Sequence, residues 1–156
     1  MNVTNLFAAP FSHNWGSTVY AKVSARNSIG NSTLSSAGSG TVLITFPDPP
    51  KNLVNVPLVT NTTNIGLTWT KGESDGGSSV IDHRVWWDQG SNNFDVLVSG
   101  VPDSYYTTSV TLNPNMSYKF KVDSRNIWGF SLQSSNIVSI VAASKPSPPI
   151  NLQSNT

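Results

Sequence analysis

The sequence has no cysteine, and only 11% of its 156 residues are charged. Without cysteine the chain cannot form disulfides, zinc–thiolate sites or a thiol nucleophile. Nine Lys and Arg offset eight Asp and Glu, and no run of basic residues occurs. The surface therefore has no strong field to attract nucleic acid or anionic lipid, and we expect no nucleic-acid partner.

Long apolar runs are also missing. No segment approaches the roughly 18 to 20 apolar residues of a membrane span, and the start, MNVTNLFAAPFSHNW, lacks the charged leader and apolar run of a signal peptide. As written, the chain is predicted to have no membrane anchor and no export signal. The second expectation depends on Met1 being the natural start, and the internal repeat described below argues against that.

The residues needed for catalysis are scarce. The two histidines, His13 and His83, lie in different units of the repeat described below, and there is no cysteine, so nucleophile-and-base arrangements lack their parts. Asp82, Asp88 and Asp95 occupy predicted outward or turn positions, where solvated carboxylates keep ordinary pKa values. His83 is predicted to be a core or boundary imidazole with one hydrogen bond. We expect no enzyme activity, no cofactor and no metal site.

An internal repeat organises the chain. At an offset of 99 residues, VYAKVSARNSIGNS at 19–32 aligns with YKFKVDSRNIWGFS at 118–131, and 15 of the 40 positions from 14 to 53 are identical. A period of this length is the size of an independent domain. We predict the second half of one unit at 1–46, with strands near 19–26 and 39–46, a complete unit at 47–145, and a further unit or linker at 146–156.

Within the complete unit, apolar residues alternate with polar ones. The alternation predicts strands over 64–70, 80–87 and 118–126, and Gly, Pro and Asn clusters separate them. The predicted inward residues are Ile65, Leu67, Trp69, His83, Val85, Trp87, Tyr118, Phe120 and Val122. No window has helical periodicity, so we predict an all-β, immunoglobulin-like antiparallel sandwich of seven strands.

Several motifs of this unit together resemble a fibronectin type III domain. They are the entry PDPPKNL, a Trp on the second strand, the loop DGGSSVIDHRV, and the run LNPNMSYKFKVDSRNIWG. The resemblance implies a structural core that includes Trp69, Leu112, Tyr118 and Val122, with Tyr118 in a tyrosine corner. In two places the sequence departs from the family pattern: His83 replaces the usual Tyr on the third strand, and Val19 takes the corner position of the first unit.

The resemblance implies a function without catalysis. Such domains act as spacers and protein-binding units in multi-repeat cell-surface, adhesion and extracellular proteins, with partners on loops or a sheet face. We therefore expect an extracellular or cell-surface location, a protein partner, and neighbouring modules of the same polypeptide. Two alternatives are an accessory segment of a secreted carbohydrate-active enzyme and an intracellular cytoskeletal repeat protein.

Two loops and one strand carry candidate partner-binding residues. Glu73 and Asp75 in the Gly-rich loop could hold a cation or a basic partner, although solvated acids beside a tight turn are the favoured interpretation. Ile127, Trp128 and Phe130 follow the strand over 118–126. Exposed aromatics at a turn are typical of contact hot spots, but these side chains could instead close the core or touch a neighbouring module.

Trp86 and Trp87 are adjacent on one strand and must point to opposite faces. With Trp87 inside, Trp86 lies outside, where it could stack on a sugar, contact a partner, or pack against Lys119 or Lys121. The cross-strand cation contact is the favoured interpretation.

Four sequons, at Asn2, Asn31, Asn61 and Asn115, occur about as often as the Asn, Ser and Thr content alone would give. They are therefore no evidence of secretion. The sequence also has no Arg-Gly-Asp tripeptide.

Overall fold

The computed structural model describes residues 3–148 and residue 150. In this part of the chain a short 3-10 helix, Val3–Leu6, precedes nine strands. The strands are β1 (Thr18–Val19), β2 (Thr41–Val42), β3 (Lys51–Asn55), β4 (Gly66–Thr70), β5 (Asp82–Trp87), β6 (Asp95–Val101), β7 (Tyr105–Thr107), β8 (Ser117–Arg125) and β9 (Val138–Val141).

Strands β3 to β9 form a sandwich of two antiparallel sheets. One sheet has the order β3-β4-β7 and the other has the order β6-β5-β8-β9. In the second sheet, β5 pairs with β8 over six residues, from Asp82 with Arg125 to Trp87 with Phe120. The predicted all-β sandwich of seven strands is confirmed.

The core between the two sheets consists of the inward residues of the alternating segments. Ile65, Leu67 and Trp69 on β4 are buried, and Tyr118, Phe120 and Val122 on β8 face them from the other sheet. Removing these large apolar side chains from water is the main stabilising term of such a fold. The predicted inward faces of β4 and β8 are therefore confirmed.

Tyr118 closes the sandwich at the start of β8. Its ring is 3% exposed and stacks on Trp87 with ring centroids 5.9 Å apart. The backbone N–H of Asn113 donates to the Tyr118 hydroxyl at 2.8 Å, and Leu112 beside it is buried. The phenol thus buries its ring while its polar atom ties down the preceding turn, as a tyrosine corner does.

The segment from residue 18 to residue 43, which we call the ribbon, lies outside the sandwich. Its regular pairing is limited to β1 and β2, where Thr18 faces Val42 and Val19 faces Thr41. Single backbone hydrogen bonds continue the pairing beyond the two strands, among them the N–H of Ser35 to the carbonyl of Val23 at 2.9 Å. Every residue from 20 to 39 is exposed. The long strands predicted near 19–26 and 39–46 are therefore present only as a loosely paired hairpin.

Candidate protein-interaction surface

Trp86 lies on the outer face of β5, as the alternation predicts. Its ring packs against two cations: the Arg84 guanidinium is 4.5 Å from the ring centroid, and the Lys121 ammonium is 5.3 Å away. Lys121 is the direct cross-strand neighbour of Trp86 in the β5–β8 pairing. The predicted cation contact is present, with Lys121 and not Lys119 as the neighbouring lysine.

These contacts belong to a longer row of alternating rings and cations across the β6-β5-β8-β9 sheet, which we call the outer-face ladder. Its members, in order, are Phe94, Lys121, Trp86, Arg84, Phe130 and Arg125. The shortest contact places the Arg84 guanidinium 4.0 Å from the Phe130 ring centroid. A cation over an aromatic face is attracted by the ring quadrupole, so the rings of this face already have partners within the chain.

A buried carboxylate anchors the ladder. Asp123 is 4% exposed, and its Oδ2 accepts hydrogen bonds from Arg84 Nη2 at 2.6 Å and from the Trp86 indole N–H at 2.7 Å. Its other oxygen accepts from the Ser134 hydroxyl at 2.6 Å. Removing a charge from water is costly unless it is paired and hydrogen-bonded, and Asp123 meets both conditions. Trp86 is consequently held in one orientation.

The turn after β8 presents a different surface. The Asn126 side-chain oxygen accepts from the backbone N–H groups of Trp128 at 2.9 Å and Gly129 at 3.2 Å, which fixes the turn. The Ile127 and Trp128 side chains at its tip are 71% and 56% exposed. Phe130 points away from this tip into the ladder. The three residues grouped by sequence thus separate into an exposed tip, Ile127 and Trp128, and a half-buried ladder ring.

The acids of the Gly-rich loop are used within the chain. Glu73 forms an ion pair with Lys51, and the hydrogen bond from the Lys51 ammonium lowers the pKa of the Glu73 carboxyl. Asp75 Oδ1 accepts from the backbone N–H of Gly77 at 2.9 Å and so shapes the turn. The two carboxylates therefore bind different groups of the chain and do not converge on one point. In the described part of the chain, no group of three or more His, Asp or Glu side chains is arranged to hold a metal ion.

Two acids predicted to be solvated are buried, which corrects the sequence-based interpretation. Asp82 is 6% exposed and pairs with Arg125, while Asp88 is 2% exposed. Asp88 Oδ1 accepts from the backbone N–H groups of Gly90 and Lys119, each at 2.9 Å. Buried carboxylates are normally hydrogen-bonded, and these two bind Arg125 and backbone N–H groups and so hold the chain in place.

His83 is buried at the sandwich core, as predicted. Its Nδ1 lies 3.2 Å from the carbonyl oxygen of Val101, and its ring meets Trp69 edge to face at 5.3 Å between centroids. Burial lowers the pKa of His83, because the charged imidazolium loses its hydration; the hydrogen bond to Val101 opposes this shift. The imidazole is therefore a packed structural group at neutral pH.

Among the described residues, no helix has the length and apolarity to cross a membrane.

Comparison with known proteins agrees with the sandwich fold. The fibronectin type III domain model matches residues 48–141. This chain therefore belongs to the fibronectin type III family, a class of immunoglobulin-like β-sandwich.

Relatives and solved structures add detail. The chain is 31% identical over 132 residues to fibronectin type-III domain-containing protein 3A of Mus musculus; the match covers 83% of this chain but only 11% of that protein. Domains A168-A170 from titin align with a TM-score of 0.63 at 22% identity, over 86% of this chain and 44% of that one. The human domain of fibronectin type III domain containing protein 3 aligns with a TM-score of 0.54 at 24% identity, over 75% and 100%. At these identities the structural likenesses show the fold alone.

Sequence reasoning missed two polar residues that organise the surface. Asp123 lies directly across from Arg84 in the β5–β8 register, and that opposite-charge pairing is the signal that could have identified it. Asn126 lies within the run LNPNMSYKFKVDSRNIWG, which resembles the family, but the run gives it no role of its own. Its structural role depends on groups more than 50 residues away in the chain, which no local pattern reveals.

Proposed function

We propose that this chain is a non-catalytic protein-interaction and spacer segment of a multi-repeat adhesion or other extracellular protein. The observation that carries the proposal is a hydrogen-bond pattern that occurs twice, once in the ribbon and once at the β8 end of the sandwich.

The two copies use the same residue types. Ser32 Oγ accepts from the N–H of Ala25, as Ser131 Oγ does from Ser124. A second serine accepts from the N–H of the valine on the same strand: Ser35 from Val23 at 3.1 Å, and Ser135 from Val122 at 3.0 Å. Asn27 Oδ1 accepts from two backbone N–H groups of its turn, as Asn126 Oδ1 does. This similarity supports the proposal that the ribbon is the last hairpin of a second fibronectin type III module.

The difference between the two copies lies in their burial. Val122 is completely buried, whereas Val23, in the matching backbone setting, is 71% exposed. A hairpin of this kind needs a facing sheet to bury its apolar side. The alignment with the Mus musculus relative, which is longer than the matched domain, also supports structure beyond residues 48–141. Both facts support the proposal that residues 1–46 belong to a second module. The proposed further unit at 146–156 lies mostly outside the described residues.

The exposed tip of the turn after β8 is the proposed contact surface for a protein partner. Ile127 and Trp128 are large apolar side chains on a turn that Asn126 holds rigid, so little conformational entropy is lost when a partner covers them. The rings of the outer-face ladder are a weaker choice, because the chain's own cations already cover them.

A photo-crosslinking experiment tests this surface. A benzoylphenylalanine at Ile127 in the natural polypeptide is expected to capture a discrete second protein in the cells that make it. The control position is Leu58, which is 90% exposed and lies in the β3–β4 connection at the other end of the sandwich. Capture at both positions alike, or at neither, would contradict a contact site at the tip.

Glycosylation tests the extracellular location. Asn31 and Asn115 are exposed, whereas the side chain of Asn61 is engaged by the backbone N–H groups of Thr63 and Asn64 at 2.8 and 2.9 Å. Passage through the secretory route should therefore modify Asn31 and Asn115 in preference to Asn61. Peptide mapping with and without a glycosidase measures this, and unmodified sequons in the native protein would favour the intracellular alternative. Asn2 lies outside the described residues.

A further inference from the structure

The segment that connects the ribbon to the sandwich is more buried than a flexible spacer would be. None of the residues from 43 to 50 is exposed, although every residue from 20 to 39 is. Leu43 is 7% exposed, and Pro50 is among the fully buried residues. Flexible linkers are normally solvated and make few contacts, so this segment must pack against something.

Hydrogen bonds attach the segment to the loop between β4 and β5. The N–H of Thr45 donates to the carbonyl of Gly76 at 2.8 Å, and the N–H of Asp48 donates to the carbonyl of Ser74 at 2.9 Å. In return, the N–H of Ser74 donates to Asp48 Oδ2 at 3.0 Å. The loop thus pairs with the connecting segment much as a neighbouring strand would.

Asn126 links this pairing to the sandwich. Its side-chain amide donates to the carbonyl of Thr45 at 2.7 Å and to the carbonyl of Asp75 at 2.8 Å. With the two bonds that its oxygen accepts from the turn after β8, all of the hydrogen-bonding positions of the carboxamide are engaged, and the residue is 2% exposed. A single buried side chain therefore holds the connecting segment, the loop and the turn together.

Two glycines make the close approach possible. A Cβ on Gly77 would lie 2.7 Å from the carbonyl oxygen of Leu43 and would collide with the backbone nitrogen of Gly16 in the turn before β1. A Cβ on Gly76 would lie 2.6 Å from the carbonyl oxygen of Phe46. These are backbone atoms, which cannot turn aside as a flexible side chain can. The Gly-Gly pair therefore serves contact between the two parts as well as the turn itself.

The Phe46 ring adds an apolar contact at the same place. It meets the Trp128 ring edge to face at 6.5 Å between centroids, which is a favourable arrangement for aromatic pairs. One side of Trp128 is thereby used within the chain, while its exposed remainder and Ile127 stay available.

We propose that residues 43–50, the loop 72–77 and Asn126 form a rigid joint that fixes the direction in which the preceding part of the polypeptide leaves the sandwich. The use of such a joint, to set the angle between consecutive modules, rests on the proposed spacer function. Its rigidity does not depend on that function. At this junction the two parts of the polypeptide would then be joined in one fixed direction rather than by a free hinge.

Amide hydrogen exchange in the complete 156-residue chain tests the joint. The N–H groups of Thr45 and Asp48 should be protected in the unaltered protein, because each has a backbone acceptor. Exchange of these two amides as fast as in the exposed ribbon at 20–39 would overturn the proposal without any variant. Neither result depends on finding a partner, so the joint and the proposed interaction function are tested separately.

Two matched glycine variants then test whether the close contact at Gly77 is the reason that the amides of Thr45 and Asp48 are protected. Gly77 and Gly100 both have left-handed φ values, +83° and +78°, but a Cβ on Gly100 would meet no heavy atom within 4 Å. Gly77→Ala should speed exchange at Thr45 and Asp48 by about tenfold or more, whereas Gly100→Ala should change it by less than about twofold. Equal effects of the two variants would show that backbone strain alone matters and would overturn the role of close contact.

Discussion

At the scale of single residues, buried side chains with a polar atom decide much of this structure. Tyr118 is the clearest case, because its ring lies in the core while its hydroxyl accepts from the backbone of Asn113.

Tyr118→Phe should lower the free energy of unfolding by about 1 to 2 kcal/mol, since the Asn113 N–H loses its acceptor. Urea denaturation measures this. Tyr105→Phe, at a 63% exposed site, is the control, and a loss of only a few tenths for Tyr118→Phe would contradict the corner.

His83 should make the stability depend on pH. The unfolded chain takes up the imidazole proton near its ordinary pKa of 6.5, whereas burial lowers the pKa in the folded chain. The neutral form is therefore favoured by folding, so its contribution is complete above pH 6.5 and declines as the pH falls through 6.5 toward the folded value. Unfolding measured at several pH values above 5.5 should show this decline, and His83→Phe should flatten it. If the decline persists in His83→Phe but disappears in His13→Gln, then His13 causes the pH dependence, and the prediction for His83 is contradicted.

Residue-level prediction from sequence worked for apolar positions and for the exposed acids Glu73, Asp75 and Asp95, but it failed for Asp82 and Asp88. Trp69, Leu112 and Val122 are buried where the pattern places them. Asp82 and Asp88 were placed in water, because a hydropathy pattern cannot show that an arginine or a set of backbone N–H groups will meet a carboxylate. Polar burial depends on partners, and those partners are set by the three-dimensional register.

At the scale of elements, alternation located β4, β5 and β8, whose faces fill the core. It could not show how the ribbon would behave, because the same alternation occurs in a hairpin with no facing sheet. The structure leaves residues 20–39 exposed with few regular pairs. The role of the Gly76–Gly77 pair was also hidden, since its neighbours in space lie more than 25 residues earlier in the chain.

The ribbon should open far more easily than the sandwich. A two-stranded ribbon with no apolar cover is marginal in water, so limited proteolysis of the chain should cut within 20–39 first and leave a fragment that begins near residue 40. N-terminal sequencing of the stable fragment identifies the cut. Uniform resistance from residue 1 would contradict an exposed ribbon, and early cuts between 43 and 50 would contradict the rigid joint.

At the scale of the whole molecule, a complete sandwich, a tightly packed joint and an uncovered hairpin occur in one chain. The sandwich buries its own core, whereas Val23 is 71% exposed and no sheet faces it in the described part of the chain. The similar serine and asparagine hydrogen bonds in the ribbon and at the β8 end support the proposal that the ribbon belongs to a second fibronectin type III module. The proposed tandem array of fibronectin type III modules would account for all three parts together.

We propose that this chain belongs to such an array, and sequencing the transcript that encodes it tests the proposal. Sequencing through both ends of the reading frame should show further units spaced by about 99 residues, with the sequence before Met1 supplying the strands that cover Val23. A natural start at Met1 and a stop directly after Thr156 would contradict the claim.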